Sequence, residues 1–295
     1  MVTNTWDIPI EINAEWGIDS LDISKSIYTV TRPNPNEDPV YAPLAGALPP
    51  GEVAVIFLSQ STNTADHDPV CPQCEYKCPP GVVPAVMEDP IKHGTTKTKA
   101  FHLTTTAPVS AYSVYPYGGA KSFIPSATVL LPVTSWDTGY VAVATADFGR
   151  SQRPELHRRT IQLVANDDET KISMRPTVDI AQGVGVEPAL TGELVEWTLS
   201  KGQVLQITQL ASPSGSRIVS NKPVGMFGGS PCTFIPAEYQ YGDTTQQQIP
   251  PFSQWGTSYA LVPYQTRLRG TGGSTPAEQV YWSFVGAVDG TVLTY

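Results

Sequence analysis

The sequence predicts an all-β chain made of tandem β-sandwich-like units, the third of them incomplete. Three observations carry this expectation. The chain holds 28 Pro and 24 Gly against only 15% charged residues, the balance of many short strands joined by turns. Apolar residues alternate with polar ones at a period of two, as in Ile161, Leu163 and Leu205, Ile207. Landmarks also recur in a fixed order along the chain, the mark of a repeat architecture. A β-propeller is the alternative, but its blades repeat every 40 to 50 residues or so, well short of the spacing here.

The first unit is expected over residues 1–118. Its run Leu48-Pro49-Pro50-Gly51-Glu52-Val53 resembles Leu199-Ser200-Lys201-Gly202-Gln203-Val204, and both lead to a Pro-Val pair, at Pro108 and Pro223. The first copy takes 36 more residues to get there, so an insertion is expected at about 60–99. Ala107-Pro108-Val109 with Tyr112, Gly118, Gly119 and Phe123-Ile124-Pro125 matches Lys222-Pro223-Val224 with Phe227, Gly228, Gly229 and Phe234-Ile235-Pro236. A linker is read at 119–139.

The second unit, 140–228, reads as strands at Tyr140 to Ala144, Thr160 to Ala165, Lys171 to Arg175, Leu194 to Leu199, Gln203 to Gln209, Ser216 to Val219 and Pro223 to Phe227. Seven strands in about 90 residues is a sandwich count. After a second linker at 229–258, Trp136 and Tyr140 recur as Trp255 and Tyr259. Leu163 to Thr170 recurs as Phe284 to Thr291, opening a third unit at 259–295. That unit stops after its third strand, which predicts that Trp282, Phe284 and Leu293 are left uncovered.

The net charge of −9 gives no counterion-release drive toward nucleic acid and repels anionic membrane surfaces. No apolar run reaches the roughly 20 residues of a membrane span, so no membrane insertion of this segment is expected. The first 16 residues show no secretory leader, which reads as a leader already removed or an internal fragment.

Cys71, Cys74 and Cys78 cluster inside the insertion and Cys232 lies far downstream. An even count in such a composition points to two disulfides, with three pairings open; the alternative is a zinc site. Asp66, His67 and Asp68 with these thiols are the only polar constellation that a metal-dependent enzyme could use. The acidic run Asn166 to Glu169 reads as a turn rather than a calcium site. His67, His93, His102 and His157 have no ligand spacing and read as solvated loop residues. No nucleophile elbow, zinc-protease, P-loop or dinucleotide motif occurs, so no enzyme and no cofactor are expected. Tyr112, Tyr115 and Tyr117, ahead of two glycines, form a candidate binding surface, because Tyr supplies contact area at small entropic cost. Covering the junction between two units is the other reading of these tyrosines.

The segments Ala100-Phe101-His102-Leu103, Ala107 to Tyr112, Gly215 to Gly229 and Val285 to Thr291 together resemble the N-terminal domain family of IgG Fc-binding protein, and look like one of its bacterial members. The resemblance covers residues 40 to 295. It implies an extracellular or cell-surface, non-enzymatic adhesion or binding module of a larger protein, with a protein or glycan ligand; it carries over no ligand-contact residue and does not imply antibody binding. A purely structural spacer is a further alternative.

Overall fold

The computed structural model describes residues 1–32, 34, 37–60, 78–115, 126–146, 157–234, 243–263 and 280–294. Among these residues are seventeen strands and three single-turn 3-10 segments, all strand pairing within the three sheets is antiparallel, and the alternation of apolar residues is what sorts them into layers. The fold is all-β and sandwich-like. Sheets of six, eight and three strands replace the four-stranded blades that a propeller requires.

In the N-terminal half, one sheet runs in the order β10 (Ser126–Val129), β9 (Ser110–Tyr115), β1 (Val2–Thr3), β6 (Val53–Ile56), β4 (Ile27–Thr31), β5 (Val40–Pro43). A smaller sheet orders β3 (Leu21–Asp22), β2 (Ile12–Trp16), β8 (Phe101–Thr105). Their inward faces meet around Ile10, Ile12, Ala14, Ile27, Leu48 and Ala54. The large sheet orders β14 (Val195–Leu199), β13 (Thr170–Arg175), β16 (Arg217–Thr233), β12 (Arg159–Ala165), β15 (Gln203–Gln209), β7 (Thr96–Lys99), with β11 (Asp137–Val141) and β17 (Asp243–Ile249) also paired to β16. It curls around Tyr140, Ile161, Leu163, Ile172, Met174, Leu205 and Met226. Ile180 and Val186, from the connection between β13 and β14, fill the concave side.

The two halves repeat one pairing scheme residue by residue. In the first, Val2 pairs Ala54 and Ala111 on either side; in the second, Leu163 pairs Leu205 and Met226. Ile12 and Ala14 pair Thr105 and Leu103, as Ile172 and Met174 pair Ser220 and Ile218. The hairpin β9–β10 sets Tyr112 opposite Val129 and Tyr115 opposite Ser126, while β16–β17 sets Phe227 opposite Gln248 and Ser230 opposite Thr245. One strand is displaced by 115 positions (112 to 227) and the other by 119 (129 to 248), so the second turn is four residues longer and the register is intact. Each hairpin then leads into a proline, a 3-10 turn and a tryptophan: Pro132, Val133–Ser135, Trp136, and Pro251, Phe252–Gln254, Trp255, with matching backbone angles at both ends.

Four expectations change. The two strands read at Ser216 to Val219 and Pro223 to Phe227 are one 17-residue strand, β16. Pro223 is tolerated because it falls where the register with β11 shifts, between Val219 and Val224, so no regular ladder bond is demanded there. The stretches read as linkers, 119–139 and 229–258, carry β10, part of β11, the end of β16 and β17. The hairpin register sets Ser113 and Val114, not Gly118 and Gly119, against Gly228 and Gly229; Gly118, Gly119 and Phe123 to Pro125 lie outside the described residues. The insertion at 60–99 also contributes structure: β7 pairs with β15, Thr98 opposite Val204 and Lys97 opposite Leu205, so the first half completes the edge of the second half's sheet.

Candidate functional site

The joint between the two halves is the most elaborately built part of the molecule. Trp136 turns the chain out of the first half, and β11 follows it directly into the second half's sheet, pairing Asp137 with Val224, Gly139 with Val219 and Tyr140 with Ile218 on β16. Tyr140 is 2% exposed, and its hydroxyl donates to the Val224 carbonyl at 2.7 Å. Burial pushes its phenol up to about 12. At the mouth of the joint the Ser253 hydroxyl donates to Asp137 Oδ2 at 2.6 Å, and this bond, with one from the Thr138 amide, holds the Asp137 carboxyl below its ordinary range. Gln254 Nε2 donates to the Ser135 carbonyl, so the two 3-10 turns brace each other.

Glycine is required where backbones cross this joint. A Cβ on Gly228 would stand 1.7 Å from the Val143 carbonyl oxygen, and one on Gly225 would meet the Trp136 indole at 2.5 Å. Gly202, at φ +73°, faces the Gly17 carbonyl at 2.6 Å from an ideal Cβ, and its own carbonyl accepts from the Ala100 amide. Beside these contacts lies a cleft of about 40 Å³, lined by Glu15, His102, Trp136, Asn166 and Lys201 among others. It holds water-sized groups and is far below the size of ordinary small-molecule sites.

The residues singled out by sequence are dispersed. Tyr112 is half-buried in the middle of β9, and Tyr115 ends that strand opposite Ser126; Tyr117 lies outside the described residues. Cys71 and Cys74, and Asp66, His67 and Asp68, also lie outside them. The Cys78 backbone amide donates to Gln60 Oε1, and burial raises the pKa of its thiol. Cys232 stands in the irregular end of β16, its amide donating to Ser230 Oγ, and the two are not bonded to each other. Among the described residues no group of three or more His, Cys, Asp or Glu is placed to hold a metal ion.

The acidic run at 167–169 is a turn. Thr170 Oγ1 donates to the Asp167 carbonyl, Asp168 Oδ1 accepts from the Lys201 amide, and Glu169 sits at φ +52°. Of the histidines, His93 is exposed and pairs with Asp89, and His102 lies 3.8 Å from Glu15. His157 departs from the solvated reading: it is buried and stacks on Phe234 with centroids 4.8 Å apart. Its aromatic partner, 77 positions downstream, gave no signal in the sequence.

Tyr259, Leu261 and Val262 are exposed, as are Trp282, Phe284 and Leu293, and the strands expected near 259–262, 280–286 and 291–295 do not form among the described residues there. No helix among the described residues is long and apolar enough to cross a membrane. The family model described as IgGFc binding protein matches residues 126–295, from β10 through the second half and beyond it, more than half of the chain. No curated protein and no solved structure matches.

Proposed function

From the chain's membership of the IgGFc binding protein family, we propose that it is a non-enzymatic extracellular module that binds a protein or glycan partner. The family match over 126–295 is the observation that carries this reading. The architecture supports it: two β units braced through a shared joint form a rigid platform, and rigid platforms lower the ordering cost of recognition. Tyr112 and Tyr115 lie on β9, next to the strand that enters the matched region, and with Tyr117 they are the proposed contact surface. The thiols of Cys71, Cys74, Cys78 and Cys232 are proposed to pair in the oxidising environment outside the cell.

The test is an array of extracellular proteins, antibody Fc included, and glycans, probed with the intact chain. Saturable binding that drops at least tenfold, about 1.4 kcal/mol, when Tyr112, Tyr115 and Tyr117 become Ala is expected, with the unfolding midpoint unchanged. An array without any ligand would make the module a structural spacer. Binding that survives the triple substitution would move the contact surface elsewhere.

A further inference from the structure

We propose that the chain associates head to tail with further copies of itself, the segment Gly256–Pro263 of one copy filling the open side of β8 in the next. This interaction goes beyond ligand binding and does not depend on it.

The molecule contains one finished example of the joint. There, the segment after Trp136 becomes β11 and lies along the lower half of β16, on the side away from β13. Both halves of that pairing have counterparts elsewhere in the chain, and neither counterpart is paired in this way among the described residues. By the hairpin registers, the donor strand Asp137–Val141 corresponds to 256–260, after the matching Trp255, and the acceptor Arg217–Val219 corresponds to His102–Thr104 on β8. β8 pairs with β2 alone and is an edge strand among the described residues.

Burial tells the same story from both sides. Ile218 and Val224, which β11 covers, are 0% exposed, whereas Leu103 and Val109, their counterparts, are only partly buried. Tyr140 is 2% exposed and Tyr259 is 64% exposed. Strand continuity agrees. β11 pairs on both sides of Pro223, and β16 runs straight through it. Around the corresponding Pro108, where no described strand fills the slot, the chain breaks into β8 and β9. The exposed Trp6 indole, donating to the Pro108 carbonyl, stands at the upper end of that slot.

The occupant is therefore a segment with the sequence spacing of β11, and a second copy supplies it. Transferred onto the new pair, the register sets Gly256 opposite Val109, Ser258 opposite Thr104, Tyr259 opposite Leu103 and Ala260 opposite His102. Strand addition of this kind completes main-chain ladders and seats alternate side chains in apolar sites. Because donor and acceptor lie on different patches, the contact is heterologous and propagates instead of closing a symmetric pair.

The closing experiment mixes a Tyr259→Cys chain with a Leu103→Cys chain under mild oxidation and maps the disulfides by peptide mass spectrometry. Directly opposed residues on antiparallel strands fall within disulfide reach. An intermolecular 103–259 bond is expected, severalfold above the same reaction with Val40→Cys, which sits on β5, another exposed sheet edge. In the unmodified chain, light scattering should give a mass that rises with concentration above the 31.8 kDa of one copy, and a peptide of residues 254–263 in excess should return it to one copy. The same peptide with Tyr259→Pro should leave the mass unchanged. Cross-linking no better than the Val40 control, or a single-copy mass at every concentration, overturns the proposal.

Discussion

At the level of single residues, close approach explains the glycines better than turn formation does. Gly228 and Gly229, landmarks of the repeat in the sequence, both lie inside β16, where a Cβ on Gly228 would collide with the Val143 carbonyl oxygen and one on Gly229 with that of Thr245. Gly228→Ala should therefore destabilise by about 3 kcal/mol, as overpacking of a close backbone contact does. Gly139→Ala, with open space around its Cβ and no left-handed backbone, should be near neutral; urea unfolding midpoints compare the two. Tyr140 gives a second expectation. Its phenol is held neutral in the fold up to about pH 12 but ionises near 10 in the unfolded chain. An acid whose pKa is raised by folding contributes stability fully below the unfolded value and loses it above. Stability should thus fall between pH 10 and 12, and a Tyr140→Phe chain should lose less across that window.

Among the elements, the strands of the second half were the most legible. β12, β13, β14 and β15 lie within a residue of where the alternation of Ile161 with Leu163, or Leu205 with Ile207, set them, because one face of each meets a single core. The matched pair Trp136 and Trp255 each follow a 3-10 turn, within stretches that were read as linkers. What the sequence hid was long-range. Thr96-Lys97-Thr98-Lys99 has no apolar alternation, since β7 is held by ladder bonds to β15 and by Thr98 donating to the Pro90 carbonyl. The polar ladder from Gln246 through Gln162 to Gln206 was equally silent, because glutamines that satisfy one another across strands look like surface residues in one dimension. Because β7 belongs to the second sheet, Thr98→Pro should cost about 3 kcal/mol and lower the unfolding transition of the second half, followed by hydrogen exchange at 203–209. A loss confined to the first half would contradict that assignment. The tyrosine surface was only partly legible, since a run of aromatic residues does not reveal which of them a neighbouring strand will cover.

Across the whole molecule, the sheet of the second half is completed by two strands that the first half and its exit contribute. β7 comes from the first half's insertion, and β11 from the segment that closes the first half's hairpin and turn. The family match begins at residue 126 and so leaves β7 outside it. A chain cut to 126–295 should keep β11 to β17 but expose the edge of β15 and leave Gln206 without its acceptors at Lys92 and Gly94. Its second half is expected to melt at a lower temperature than in the full chain, by calorimetry, and to aggregate from the uncovered edge.

The placement of β11 also decides how the molecule carries load. Units joined by a loose tether stretch first at the tether, and the units stay slack. Here the last segment of the first half is woven into the sheet of the second, with the Tyr140 hydroxyl anchored on Val224 and the Trp136 ring set against Gly225. A pull on the two ends reaches the second half through a ladder of backbone bonds that must be sheared, so force extends neither half without straining the other. Under load, the joint then transmits force between the halves instead of yielding as a tether would.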